Sequence, residues 1–156
     1  MNRITITFNF DRFFITGILL AFCALLMIAQ DIDTNVPVGW AVVSGYGVET
    51  TTGGGDGDVV TATSASQLTS YAGSSQPLVI LVEGTISGSG MINVTSNKTI
   101  LGQGSNATLS GVGLNMKDQS NIIIRNLKIV GVSVDAIATR RTHHVWIDHC
   151  DVSNCG

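Results

Sequence analysis

Charge is scarce in this sequence. Only 12% of its 156 residues are Asp, Glu, Lys or Arg, and no stretch gathers basic residues into a field. That argues against nucleic acid as a partner, because phosphate binding depends on a concentrated positive surface. Lys and Glu are few while β-branched residues abound, so a β-rich chain is expected rather than a helical one. Cysteine is rare as well, with three residues and neither a CxxC pair nor a Cys/His spacing suited to a metal. Disorder is excluded from the other side: 44% of the residues are hydrophobic, too many for a chain that cannot bury a core.

The N-terminus stands apart. Arg3 and Arg12 precede Phe13–Ala29, an apolar run without charge, and Asp31 and Asp33 follow at once. A basic start and an apolar run read as a secretory signal peptide over residues 1–30, which makes the protein secreted and extracellular. The alternative is an uncleaved membrane anchor, since a run of this length stands at the lower limit for spanning a bilayer. Without this segment, which carries Arg3, Arg12 and Asp11, six basic and ten acidic residues remain, a net charge of about −4. Cys150 and Cys155 also remain. Their separation in sequence does not fix the Cα distance a disulfide needs, so a bridge and two free thiols both stay open.

Residues 31–58 form a Gly/Thr-rich lead-in. Its stretch Thr50–Asp58 reads as a flexible solvent loop, because no GK[ST] follows its glycines to hold a phosphate. Val59–Thr63 reads as a short strand. Ser64–Ala72 reads as a helix with Ser64 as N-cap and Leu68, Tyr71 and Ala72 on one face, placed to close the end of a β-structure.

From Pro77 onward a repeat sets in. Ser96–Leu101, Ser120–Arg125 and His143–Asp148 share a pattern, and their starts recur at spacings of 24 and 23. A second series runs in step through Ile92, Leu114 and Ile137, at spacings of 22 and 23. Two short strands per repeat, separated by Gly, Asn and Ser turns, are the mark of a solenoid. One coil cannot bury its own apolar face, whereas stacked coils do so by parallel pairing with equivalent strands above and below. The fold expected for residues 59–156 is therefore all-β, a parallel β-helix incomplete at its C-terminal end. Asn97, Asn121 and Asn126 stand at turn ends, where Asn tolerates left-handed backbone and stacks into ladders. Asn93, Asn97 and Asn106 each open a glycosylation sequon, meaningful only in a eukaryotic secretory host.

Four segments carry a family resemblance. Ser96–Gly104 (SNKTILGQG), Asn121–Ile129 (NIIIRNLKI), Asp135-Ala136-Ile137 and Val145-Trp146-Ile147-Asp148-His149 resemble, in order and spacing, motifs of the pectate lyases of polysaccharide lyase family 1. The resemblance covers residues 39–156. It implies a right-handed parallel β-helix, a pectic polysaccharide (polygalacturonate) as substrate, and cleavage by calcium-assisted β-elimination. In that reaction Ca2+ between carboxylates and the substrate uronate stabilises charge developing as the C5 proton leaves. A monomer is expected.

Carried over residue by residue, Asp135 matches a calcium-ligand aspartate. The other calcium carboxylates belong to a D-G-L-L-D-type stretch expected after Gly156, and the arginine base lies further on. Arg125, Arg140 and Arg141 do not occupy its motif, so no catalytic residue is expected here and the chain alone should be inactive. Arg140 and Arg141 are candidates for binding uronate, against simple solvation. Asp148 and His149 read as a buried, mutually satisfied network, with Trp146 and Ile147 as positions of the same coil. His143 and His144 should point to opposite faces of a strand and so not share an ion. Two alternatives remain beside the lyase: a non-catalytic β-helix carbohydrate-binding or surface module, and a calcium-independent pectin lyase, against which Asp135 argues.

Overall fold

A computed structural model describes residues 37–156. The N-terminal segment before them, with the uncharged run Phe13–Ala29 and its signal or anchor reading, lies outside the described residues. Among the described residues no helix is long and apolar enough to cross a membrane.

A 3-10 turn at Gly39–Val42 precedes β1 (Asp58–Ala62) and α1 (Ala65–Ala72). Then come β2 (Leu78–Val82), β3 (Thr85–Asn93), β4 (Lys98–Gly102), β5 (Thr108–Lys117) and β6 (Ser120–Arg125). β7 (Lys128–Val130), β8 (Ile137–Arg140), β9 (His143–Asp148) and β10 (Asp151–Ser153) complete the series. One sheet runs β1-β2-β4-β6-β9 and the other β3-β5-β7-β10, with β8 also pairing β5. Every strand pairing is parallel. This is a parallel β-solenoid, and the repeat in the sequence is its register. Lys98 pairs with Ile122 and Ser120 with His143, the spacings of 24 and 23; Leu114 pairs with Ile92 and Ile137, the spacings of 22 and 23.

The core follows from alternation. Side chains along a strand point to opposite faces, so Ile80, Ile100 and Ile124 come into register on the inner side, all fully buried. Ile86, Leu109 and Ile129 do the same in the second sheet. Burying each such side chain contributes roughly 1.5–3 kcal/mol, and a coil obtains that only with a neighbour on each side. At the first coil α1 takes the place of a second-sheet strand. Ser64 caps it, its hydroxyl accepting from Gln67 N at 3.3 Å, while Gln67 Oε1 accepts in return from Thr63 N at 3.0 Å. Leu68 and Ala72 are buried with the strands' apolar residues, so the helix covers that end of the core.

The lead-in departs from expectation. Thr51, Gly53 and Gly54 are buried, and residues 50–57 lie as a strap along the outside of the first sheet. Asn121 Oδ1 accepts from Thr52 N at 2.7 Å and Gly53 N at 2.8 Å; Thr99 Oγ1 accepts from Gly54 N at 2.9 Å. The glycines serve close approach rather than freedom. A Cβ on Gly54 would stand 2.3 Å from Leu78 O, and Gly53 has φ +59° with Thr99 Oγ1 in the same space.

Candidate functional site

Asp135 lies in the loop 131–136, between β7 and β8. The loop is held close to the sheet by the bond from Leu114 N to Ala136 O (2.9 Å), and Gly113 leaves room for the carbonyl of Asp135. The carboxylate is exposed beside an open hollow of about 380 Å³ lined by Asp135, Ala136, Ile137, Val152, Cys155 and Gly156. Among the described residues no three His, Cys, Asp or Glu side chains come together there or elsewhere. Calcium takes six or more oxygens, so Asp135 alone does not make its site.

Arg140 and Arg141 part company. Arg140 ends β8 in register with Lys117, the last residue of β5, and both are exposed. Arg141 turns the backbone left-handed at φ 50°, as its equivalent Asp118 does at φ 59°. Its guanidinium grips that aspartate with two prongs, Nε to Oδ1 and Nη2 to Oδ2, the latter at 2.6 Å. The Arg141 bond holds the Asp118 carboxyl below the usual range, and the charges of Lys117 and Arg140 add to it.

The coil bearing Trp146, Ile147, Asp148 and His149 does form a network. Asp148 Oδ2 accepts from Arg125 Nε at 3.0 Å and from His149 Nδ1 at 2.6 Å. The His149 bond, seconded by Arg125, keeps the Asp148 carboxyl below the usual range. Arg125 also lies over Trp146, 5.7 Å from the ring centroid. The network is not buried as expected: the side chains of Asp148 and His149 are 25% and 68% exposed. The reason is alternation, which turns Trp146 and Asp148 outward, opposite Val145 and Ile147, whose register partners Ile122 and Ile124 are the buried ones.

His143 and His144 meet, contrary to the strand rule. His144 is left-handed at φ 53°, which breaks the alternation and brings the two Nδ1 atoms to 2.8 Å. A carbonyl only accepts, so the 2.9 Å contact of His144 Nε2 with Val43 O places a proton on Nε2. In the neutral ring His144 Nδ1 is then the acceptor and His143 Nδ1 the donor. Tyr46 packs on His143 with centroids 5.1 Å apart. Asn97, Asn121 and His144 make one left-handed column, and Asn121 Nδ2 donates to Asn97 Oδ1 at 2.8 Å.

Two further groups complete the polar inventory. Cys150 and Cys155 are free and half-buried, each thiol directed at backbone carbonyls; burial pushes the Cys150 thiol up. Sequence reasoning passed over Lys98, which points into the core with no exposed surface and donates to Gln76 O (2.8 Å) and Ser96 O (2.9 Å). Its inward place in the alternation was the available signal.

Stacked parallel coils, with the Asp135 loop and the Arg141 turn at the edge of one sheet, make the chain a parallel β-solenoid protein. The family model described as pectate lyase matches residues 13–155, and the chain belongs to the pectate lyase family. Pectate lyase plyB of Emericella nidulans is 45% identical over 122 residues, 76% of this chain and 36% of that protein. The pectate trisaccharide-lyase of a Thermotoga species is 36% identical, over 94% of this chain and 44% of its own length. The crystal structure of pectate lyase Bsp165PelA from Bacillus sp. N165, in complex with trigalacturonate, superposes with TM-score 0.66 at 31% identity. The match covers 75% of this chain and 43% of that one. The chain thus spans about a third of the fungal relative's length.

Proposed function

We propose that this protein acts on polygalacturonate as a pectate lyase, by β-elimination, and that residues 37–156 supply part of its uronate-binding side. The observation that carries the reading is the likeness, at 31% identity, to an enzyme solved with trigalacturonate. Asp135 is taken as one carboxylate of a calcium site whose other oxygens come from outside the described residues; no reaction step is assigned to the residues present. The run Phe13–Ala29 is taken as an export signal, which sequencing the N-terminus of protein recovered from culture medium would check.

A chimera tests the activity. Residues 37–156 replace the matched third of the Emericella nidulans enzyme. The chimera is expected to release unsaturated oligogalacturonides from polygalacturonate when calcium is present, read by ultraviolet absorbance. Asp135→Asn in the chimera should lower kcat/KM by at least about tenfold, the scale on which metal sites weaken when even a supporting group is lost. A folded chimera that releases nothing sinks the reading. One that binds trigalacturonate without cleaving it points to a non-catalytic carbohydrate-binding module.

A further inference from the structure

On the second sheet, Lys117 ends β5 and Arg140 ends β8, and the register sets them side by side. Paired strands lie about 4.8 Å apart, so the backbones bearing these two cationic side chains stand one strand spacing from each other. Both are exposed, and among the described residues neither has an ion-pair partner. Like charges directly opposite each other destabilise a sheet. The neighbouring carboxylate, Asp118, is gripped on both oxygens by Arg141. Three cations therefore surround one carboxylate, leaving two positive charges unmatched in a chain whose formal net charge is −3.

The next outward position along β5 carries an amide, Asn115, while the equivalent position on β8 is Ala138, so the second amide comes from β3 on the other side of β5. Asn115 pairs with Asn93 across β5 and β3, and Asn115 Nδ2 donates to Asn93 Oδ1 at 2.7 Å. The Nδ2 of Asn93 and the Oδ1 of Asn115 remain, one donor and one acceptor of the kind that sugar hydroxyls use. A pair of unmatched cations beside a pair of half-used amides suits a ligand that alternates carboxylates with hydroxyls at short intervals.

We propose that Lys117 and Arg140 form a two-cation seat for neighbouring uronate carboxylates, so that this ledge selects sugar chains in the free-acid form. Lys117, rather than Arg141, is the partner of Arg140. Arg141 is a positioning residue that occupies both oxygens of Asp118. The inference deepens the function proposed above and rests on it for the choice of sugar. Methyl esterification removes the charge the seat would bind, so an esterified chain should lose this contact while keeping its hydroxyls.

Calorimetric titration of the full chain at low salt tests it, with trigalacturonate and its fully methyl-esterified form as probes. The unmodified protein should prefer the acid form. Lys117→Gln and Arg140→Gln should each weaken acid-form binding about two- to fivefold, the worth of an exposed ion pair, and leave ester-form binding unchanged. The double substitution should erase the preference, and raised salt should mimic it. Circular dichroism confirms that each variant is folded. Equal affinity for the two forms, acid-form binding untouched by either substitution, or no acid-form binding at millimolar sugar would each overturn the seat. Lyase release by the chimera with Lys117→Gln binding unchanged would overturn the seat and spare the proposed activity. Acid-selective binding that needs both cations, in a chimera that releases nothing, would keep the seat and sink the activity.

Discussion

Lys98 sits where its neighbours in register, Leu78 and Ile122, are apolar. Its ammonium has no carboxylate among its partners, only the carbonyls of Gln76 and Ser96, and burial lowers its pKa from the ordinary lysine value. The unfolded chain then holds that proton more tightly than the folded one. Between the lowered folded value and the ordinary unfolded one, the unfolded state carries more protons, so stability should rise with pH across that interval. Urea midpoints measured from mildly alkaline pH upward should show this rise, and Lys98→Met should flatten it. An unchanged slope in Lys98→Met would show that another group is responsible. At this scale the sequence was partly readable. Asn97, Asn121 and Asn126 do adopt the left-handed backbone expected at turn ends. His144 adopts it too, although histidine gives no local sign of doing so, and that one torsion undid the rule that adjacent strand residues diverge.

At the scale of elements, the strands and α1 were legible because their signals are local: alternation, turn residues and a capping serine. The strap was not. Its anchor Asn121 lies 69 residues away along the chain, and a run of glycines looks the same whether it hangs in solvent or lies flat against a sheet. Only the other partner decides between the two. Asn121→Ala should therefore act on the strap rather than on β6. It would strand the amides of Thr52 and Gly53, each costing about 1–3 kcal/mol if left without an acceptor. Hydrogen exchange should quicken at residues 51–54 more than in β4 or β6, and the urea midpoint should fall. Uniform exchange loss over the whole chain would mean that the strap does not open separately. Asn121→Asp keeps the acceptor but loses the Nδ2 donor to Gly53 O and Asn97 Oδ1, so it should restore only part of the protection.

At the scale of the molecule, the period in the sequence predicted the register of β4, β6 and β9 and of β3, β5 and β8 to the residue, because stacking forces equivalent positions of successive coils to repeat. The candidate site was less readable. A motif match picks out Asp135 but says nothing of how many other oxygens stand beside it, and the structure gathers no metal-sized cluster of carboxylates there among the described residues. A lone carboxylate falls short of the six or more oxygens that calcium takes, and we propose that residues 1–156 by themselves release no unsaturated product from polygalacturonate with calcium. A clear absorbance rise from the purified chain would contradict that. The pairing of Arg140 with Lys117 across the sheet was likewise hidden, since it depends on strands from successive coils, while adjacency in sequence pointed to Arg141.

β5 pairs with a single strand, β3, on one side, but on the other it meets two, β7 and β8. The step along the chain from Thr108 to its partner Lys128 is shorter than the step from Leu114 to its partner Ile137. The surplus chain is accommodated between the two halves, and it emerges as the loop that carries Asp135. Such a seam separates two kinds of change. Residues added or removed there alter what overhangs the sheet, while the coils on either side keep their places.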